Sequence, residues 1–296
     1  MTDVIIIGGS FAGLSAALHL GRARRSVTVL DTNTPRNRYA AHAHGILGHD
    51  GKPPRQILSE ARAQLAHYPS VRVIPTRADA IAGEIDQFSV STEDGETLSS
   101  RRVLLSHGIV DQFPELPGFA ESWGTSVLHC PYCHGFEVAD GLLGILYSGP
   151  SALHLGVLLG DWSDRLTLLA DGHTLPDEDL AKLTAQGVTV VLPRVVRLDQ
   201  VAGQISAAVL ETGERVPLDA LFAHPRQQIS ANFHTQLDLA LTEGPLGHVI
   251  KVDEMFETSR KGVYAAGDVA SLMQSANLAM GNGVMAGVMC HRSLLF

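Results

Sequence analysis

The chain has 296 residues, 45% of them hydrophobic and 18% charged, so it can bury a sizeable core and is not disordered. Its net charge of −9 argues against nucleic-acid backbones and anionic membrane surfaces as main partners. Three cysteines are too few for a disulfide-stapled secreted scaffold, and the opening MTDVIIIGG lacks the basic start of a signal peptide. We therefore expect a cytoplasmic protein of one large domain or two ordinary ones.

The opening of the chain predicts a strand–turn–helix–strand unit. The β-branched run Val4–Ile7 suits a central parallel strand, and Ala12–Leu20 has helical character. A second strand is predicted over Val27–Leu30, with Asp31 at its end. This order and length are typical of a dinucleotide-binding unit.

The turn of this unit carries a glycine pattern that suits a pyrophosphate. Gly8 permits the tight turn, and Gly13 lets the helix pack closely on the strand. Ser10 stands where the middle glycine is usual, but it is small and its hydroxyl can donate to phosphate. The helix N-terminus favours negative charge, and Asp31 can accept hydrogen bonds from ribose hydroxyls. The unit therefore predicts a bound dinucleotide.

The apolar stretch Gly141–Gly160 contains no Asp, Glu, Lys or Arg and is long enough to span a membrane. Ser148-Gly149-Pro150 breaks it in the middle, and the polar run DWSD follows it at once. We therefore predict a buried strand, a turn and a buried helix. Further strands are predicted at Val188–Leu192 and around Ala207–Leu210.

The segment HCPYCHGFE (His129–Glu137) holds two cysteines two residues apart. A zinc site needs about four ligands, and no second CxxC or HxxxH lies elsewhere in the sequence. The string CPYC is also found in glutaredoxins, where it follows the first strand of a short domain rather than lying in mid-chain. A purely structural pair remains open. A redox-active dithiol is the remaining interpretation, and the resemblance described in the next paragraph favours it.

Near the other end of the chain, a short strand (Val263–Ala265) precedes Ala266-Gly267-Asp268, and a small-residue helix begins at about Ser275. With the first unit and the CxxC, this end resembles the thioredoxin-reductase-like flavoproteins over nearly the whole chain. The resemblance implies an α/β fold with two Rossmann-like, three-layer ββα nucleotide-binding domains, FAD as cofactor and a homodimer. The implied domains are 1–111 plus 222–296 for FAD, and 112–221 as an inserted domain that carries the CxxC.

The resemblance also implies the cofactor residues. Asp268 matches the aspartate at the flavin ribityl–phosphate region, and Ser275-Ala276 open the helix aimed at the flavin ring, although the family usually has Gln at the first position. Arg36-Asn37-Arg38 lies where the family lines the flavin. The residues implied to bind FAD are Gly8, Ser10, Phe11, Ala12, Gly13, Asp31, Arg38, Gly267, Asp268, Ser275 and Ala276.

Catalytic roles follow from the same resemblance. Cys133 is expected to be the flavin-side thiolate, and Cys130 the interchange thiol that meets the substrate. His134 occupies the position where thioredoxin reductases carry an aspartic acid, and an imidazole titrating near ~6.5 can serve as base or acid. His129 lies on the other flank of the pair. Cys290, in an apolar run, is expected to be a buried core residue.

The second glycine turn departs from the family pattern. Tyr147 stands in place of its first glycine, and Ala170-Asp171-Gly172 replaces the basic cluster that pairs with the 2′-phosphate of NADPH. Since an aspartate repels that phosphate, we do not expect an NADPH site. NADH stays open, because Asp171 could bind a ribose diol.

Without a nicotinamide site the electrons need another route. The resembled subgroup includes the dithiol oxidases of gliotoxin and holomycin biosynthesis, which close a disulfide in a small molecule and pass electrons through FAD to oxygen. We expect this activity, with a small dithiol and oxygen as partners. The alternatives are an NAD(P)H-dependent reductase of a thioredoxin-like protein, a flavoenzyme reduced by a carrier such as ferredoxin, and a non-catalytic flavin-binding sensor.

Overall fold

A computed structural model describes all 296 residues. The chain forms two compact units, which we call the first unit and the inserted unit. The first unit comprises Met1–Arg38, Arg55–Val110 and Gln227–Phe296, and the inserted unit comprises Tyr39–Pro54 and Asp111–Arg226. The histidine-rich segment Tyr39–Pro54 thus groups with the inserted unit, whereas the sequence placed it in the FAD domain.

Nineteen β-strands form four sheets. In chain order they are β1 (Thr2–Ile7), β2 (Val27–Leu30), β3 (Val71–Ile74), β4 (Ala78–Ala82), β5 (Phe88–Thr92), β6 (Thr97–Leu105), β7 (Ile109–Gln112), β8 (Val127–Leu128), β9 (Leu143–Leu146), β10 (Leu166–Leu169), β11 (Thr189–Val191), β12 (Val195–Val201), β13 (Gln204–Leu210), β14 (Arg215–Pro217), β15 (Ala220–Phe222), β16 (Arg226–Ile229), β17 (Leu241–Gly244), β18 (Gly247–Ile250) and β19 (Val263–Ala265).

Eight α-helices, three of them a single turn long, accompany the strands. They are α1 (Phe11–Arg22), α2 (Pro54–Leu65), α3 (Phe119–Ser122), α4 (Pro131–His134), α5 (Pro150–Leu158), α6 (Asp177–Ala185), α7 (Phe233–Gln236) and α8 (Ala276–Ser293). The structure confirms the predicted strands at Val4–Ile7, Val27–Leu30 and Val263–Ala265, and the predicted helices after residues 10 and 275.

The first unit is built on a seven-stranded sheet of order β3-β2-β1-β6-β5-β4, with β19 paired to β6. Strands β3, β2, β1, β6 and β19 are parallel, whereas β5 is antiparallel to both of its neighbours, β4 and β6. Val4–Ile7 of β1 is buried throughout, as a strand covered on both faces requires. The carboxyl ends of β1, β2, β6 and β19 therefore lie along one edge of the sheet, where α/β proteins bind ligands.

Helices α1 and α8 touch almost backbone to backbone. A Cβ atom added at Gly283 would lie 2.1 Å from the Ala12 carbonyl oxygen, and one added at Gly287 would lie 2.9 Å from the Ala16 Cα. Only small residues allow this approach. The contact holds the two helices side by side.

The inserted unit is built on a five-stranded parallel sheet of order β11-β10-β9-β15-β8, with a three-stranded antiparallel sheet, β12-β13-β14. The apolar stretch Gly141–Gly160 forms the buried strand β9 and the helix α5, as predicted. No helix of the structure has the length and apolarity needed to cross a membrane. The predicted strands at Val188–Leu192 and Ala207–Leu210 are confirmed as β11 and part of β13.

Candidate active site

The loop after β1 depends on two glycines. Gly8 has a φ of +103°, and a Cβ there would lie 2.3 Å from the Ser106 carbonyl oxygen. A Cβ at Gly13 would lie 1.8 Å from the Gly8 carbonyl oxygen. No side chain fits at either position, so this loop stays narrow and the start of α1 lies against it. Its backbone is therefore open to a close-lying anion.

The start of α1 has spare donors. Ser10 is the N-cap residue, but its hydroxyl makes no capping hydrogen bond, and Phe11 and Ala12 are buried at the first turn. The first backbone N–H groups of a helix have no partner within the helix. The predicted Ser10, Phe11 and Ala12 thus form an N-terminus suited to phosphate.

Asp31 lies at the end of β2, beside this loop. Its Oδ1 accepts a hydrogen bond from the Gly9 backbone N–H at 3.1 Å, and its Oδ2 lies 2.6 Å from Arg62 Nη2. The same Arg62 nitrogen donates to the Gly9 carbonyl oxygen at 3.2 Å. Arg62, which sequence reasoning missed, thus ties the carboxylate to the glycine loop.

A second acidic group follows β19. Asp268 Oδ2 lies 3.1 Å from Arg36 Nη1, which also donates to Gln274 Oε1 at 2.7 Å. Arg38, the arginine predicted from sequence, is exposed and donates to the Pro35 carbonyl oxygen at 3.1 Å. The arginine that meets Asp268 is therefore Arg36, two residues earlier, because the short 3-10 turn at Arg36–Tyr39 directs the two side chains differently.

The remaining predicted cofactor residues lie near this acidic group along the chain. Gly267 has a φ of +78° and directly precedes Asp268. Ser275 caps α8, since its Oγ accepts a hydrogen bond from the Leu278 backbone N–H at 3.1 Å, and Ala276 is the first helical residue. A serine here supplies the cap that the usual glutamine would not.

The cysteine pair lies in the inserted unit, where β8 ends and the single turn α4 begins. Cys130 is the N-cap of α4, and Pro131 takes the first helical position, where a missing N–H costs nothing. Cys133 Sγ lies 2.6 Å from Cys130 Sγ, and both residues are partly buried. The turn therefore places the two sulfurs for exchange between a dithiol and a disulfide.

His134 is a neutral imidazole beside this pair. Its Nδ1 is buried and has no hydrogen-bond partner in the structure. Burial lowers the pKa of His134; the Glu137 carboxylate partly opposes this, and His44 adds to it. His44 lies 6.5 Å away between ring centroids, and its Nδ1 is 3.5 Å from Glu137 Oε1. A histidine that is unprotonated near neutral pH can accept a proton from a thiol.

The other flank of the pair holds a second histidine contact. The ring of His129 lies 5.0 Å from that of His224, which follows β15. Burial lowers the pKa of His224, and a hydrogen bond with the His129 backbone opposes this. Tyr132, between the cysteines, packs edge-on against Trp162 at 5.5 Å. The turn is thus supported from both ends by side chains distant in sequence.

The inserted unit also shows the altered glycine turn. The ring of Tyr147 lies 5.3 Å from that of His173, so a bulky side chain packs where the family pattern has its first glycine. Asp171 Oδ1 accepts a hydrogen bond from the Val195 backbone N–H at 2.8 Å. The carboxylate that the sequence offered to a ribose thus supports the start of β12.

Cys290 is fully buried in α8, and burial raises the pKa of its thiol to about 12. It is a core residue, as predicted. No group of three or more His, Cys, Asp or Glu side chains is arranged to hold a metal ion.

A family model described as "Pyridine nucleotide-disulphide oxidoreductase" matches residues 2–283. The chain belongs to this family. The thioredoxin reductase sirT of Leptosphaeria maculans is 33% identical over 96% of this chain and 92% of its own length. Among solved structures, an oxidoreductase from Agrobacterium tumefaciens superposes with a TM-score of 0.95 at 41% identity, covering 100% of this chain and 99% of its own. The structure of HlmI superposes with a TM-score of 0.92 at 36% identity, covering 99% and 92%.

These similarities confirm the predicted fold class, with two Rossmann-like nucleotide-binding domains, and make the chain a redox enzyme that binds FAD. The first unit fits this cofactor. The narrow Gly8 loop and the uncapped start of α1 suit a pyrophosphate, and Asp31 suits a ribose. Sequence reasoning missed Arg36 as the partner of Asp268, and it assigned no role to Arg62 or His224. Only the run Arg36-Asn37-Arg38 pointed near one of them.

Proposed function

We propose that this enzyme oxidises a small dithiol to its disulfide at Cys130–Cys133 and passes the electron pair through FAD to oxygen. The observation that carries this proposal is a contrast within the inserted unit. The turn that carries the dithiol holds both sulfurs close together and is followed by His134, whose pKa is lowered by burial. In contrast, Tyr147 packs against His173, and Asp171 binds a backbone N–H. We further propose that it works in the cytoplasm and, from the family resemblance, as a homodimer.

The exchange steps balance with the residues at hand. A substrate thiolate attacks Cys130 Sγ, the Cys130–Cys133 disulfide breaks, and Cys133 leaves as a thiolate. The second substrate thiol gives its proton to a base, for which we propose His134, and its sulfur displaces Cys130. The substrate leaves as a disulfide and the enzyme keeps the dithiol. FAD, when bound, accepts the electron pair and supplies the route to oxygen, which takes up two electrons and two protons to give hydrogen peroxide.

Two features of the inserted unit oppose a nicotinamide donor. A pyrophosphate needs a tight glycine turn, and Tyr147 adds a bulky ring, packed against His173, where the family pattern has its first glycine. The Asp171 carboxylate is already bonded to the Val195 N–H, and its negative charge opposes a 2′-phosphate. No basic residue stands in the run Ala170–Gly172 to replace the family's cationic cluster.

One specific observation favours a second candidate function. The curated relatives sirT and tcpT carry the name thioredoxin reductase. This name favours an NAD(P)H- or ferredoxin-dependent reductase that drives electrons from FAD through the same cysteines to a thioredoxin-like protein. The two candidates differ in the direction of electron flow, so reduction experiments separate them.

The test is anaerobic reduction of the FAD-loaded enzyme. NADPH, NADH and dithiothreitol are added separately, and loss of the flavin's visible absorption is followed. We expect bleaching by the dithiol alone, with colour and hydrogen peroxide appearing when air is admitted. The matched control is Cys290→Ser, which removes a buried thiol and leaves Cys130 and Cys133 in place.

Rapid bleaching by NADPH or NADH would contradict the oxidase proposal and favour the reductase. Bleaching by a reduced ferredoxin, followed by turnover of a thioredoxin disulfide, would do the same. Failure of the dithiol, the nicotinamides and a reduced ferredoxin alike to reduce the flavin would contradict both candidates.

A further inference from the structure

The backbone ladder that supports the dithiol turn stops just before the turn. Strands β15 and β8 pair in parallel, with Phe222 opposite Leu128. The N–H groups of Leu221 and Ala223 donate to the carbonyl oxygens of Ser126 and Leu128, three residues and one residue before His129, at 2.8 and 2.9 Å. The next N–H in this alternating series would belong to residue 225, which is a proline and has none.

The side chain of His224 makes the contact that follows this interruption. It forms a hydrogen bond with the His129 backbone, and the two rings lie 5.0 Å apart. The same register, continued two residues beyond Phe222, brings His224 level with Cys130. Its Nδ1 is buried and has no partner, so the ring is held by the bond to His129 and by packing.

We propose that His224 is a positioning residue for the dithiol: its bond to the His129 backbone holds the segment that enters the CxxC turn, so that Cys130 Sγ stays beside Cys133 Sγ. This inference rests on the proposed function, since it concerns how readily the same pair forms its disulfide. Loss of the bond loosens Cys130 but leaves Cys133, which lies within α4, in place. The disulfide then forms less readily from the dithiol.

The expected effect is a shift of the dithiol–disulfide equilibrium of about fivefold toward the dithiol, the size expected for one net hydrogen bond. For a two-electron couple this corresponds to about 20 mV, at about 30 mV per tenfold change. The reaction to be measured is balanced: one glutathione disulfide oxidises the enzyme dithiol and leaves two glutathione thiols.

Three variants of the FAD-loaded enzyme test this role. His224→Phe keeps an aromatic ring and removes the hydrogen-bonding nitrogens, whereas His224→Gln restores a donor. His154→Phe is the matched control, because His154 is exposed on α5 and affects His224 only through charge. Each protein is equilibrated anaerobically with glutathione buffers, quenched in acid and alkylated. Mass spectrometry then measures the modified fractions of Cys130 and Cys133.

We expect His224→Phe to shift the equilibrium about fivefold, His224→Gln to return it most of the way, and His154→Phe to match the wild type. An unshifted His224→Phe would overturn the inference. An equal shift in the Phe and Gln variants would also overturn it, because that pattern reports packing alone. If the wild-type pair itself shows no reversible titration, the proposed function fails as well, so the two failures are distinguishable.

Discussion

The two units share a Rossmann-like architecture, but they carry different side chains at the sheet edge where such folds bind a dinucleotide. In the first unit, Gly8 and Gly13 keep the turn after β1 free of side chains, and Asp31 borders it. At the matching places of the inserted unit, Tyr147 stands in place of the first glycine, with its ring against His173, and Asp171 is bonded to the backbone of β12. The comparison teaches that a few side chains at the strand ends, rather than the sheet itself, decide whether such an edge is open to a dinucleotide.

The largest expected effect comes from the cysteines. Cys130→Ser and Cys133→Ser should each lower dithiol-dependent oxygen consumption by at least ~1000-fold, since thiol–disulfide exchange requires both sulfurs. Bound FAD, measured by absorbance after purification, should not change, because the proposed FAD site lies in the first unit. Retained turnover in either variant would contradict a role for the pair.

The second-largest effect is expected from a substitution in the glycine loop of the first unit. Gly13→Ala places a Cβ 1.8 Å from the Gly8 carbonyl oxygen, so the loop and α1 must separate. We expect the FAD content to fall at least ~10-fold, as the close approach to the pyrophosphate is lost. Gly160→Ala is the control, since no atom lies within 4 Å of its added Cβ. Equal FAD content in the two variants would show that the narrow loop is not needed.

Substitutions of Asp31 and Asp171, which occupy matching places in the two units, test the comparison between the units directly. Asp31→Asn should weaken FAD binding ~10-fold, because a charged acceptor facing a ribose is lost. Asp171→Asn should leave FAD binding unchanged and lower the free energy of unfolding by ~1 kcal/mol, because its bond to the Val195 N–H is weakened. Reconstitution of the apoprotein with FAD and urea unfolding measure the two quantities. Weaker FAD binding in Asp171→Asn would contradict the proposal that Asp31 binds FAD and Asp171 only supports the backbone.

The smallest expected effect is a shift in the pH profile. If His134 acts as the base, turnover is lost as pH falls through its pKa, because the imidazole becomes protonated. Glu137 raises that pKa and His44 lowers it. Glu137→Gln should therefore move the acid limb of kcat to lower pH, and His44→Gln should move it to higher pH.

His44 also pairs with Glu137 and lies 3.8 Å from Asp50, so Asp50→Asn serves as the control for a general change of surface charge. If the acid limb of kcat moves in the same direction in Glu137→Gln, His44→Gln and Asp50→Asn, the assignment of His134 as the base is contradicted.

The local sequence pattern was sufficient to predict those helices and strands whose defining residues lie within about thirty residues of one another. The β-branched run, the glycine turn and the second strand predicted β1, α1 and β2 because each depends on neighbours in sequence. The apolar stretch around Pro150 was correctly divided into β9 and α5 for the same reason. The CxxC and its flanking histidine are also local, so their adjacency was visible before the fold.

The partners of these residues were decided by the tertiary structure. Arg36 rather than Arg38 meets Asp268, 232 residues later, and Arg62 meets Asp31 across the sheet edge. His224 lies beside His129 only because β15 pairs with β8. The sequence by itself was enough to predict which side chains carry the chemistry and to show which turn keeps its glycines. Which distant side chain completes each of them depended on strand order and register, because long-range contacts leave no periodic signal along the chain.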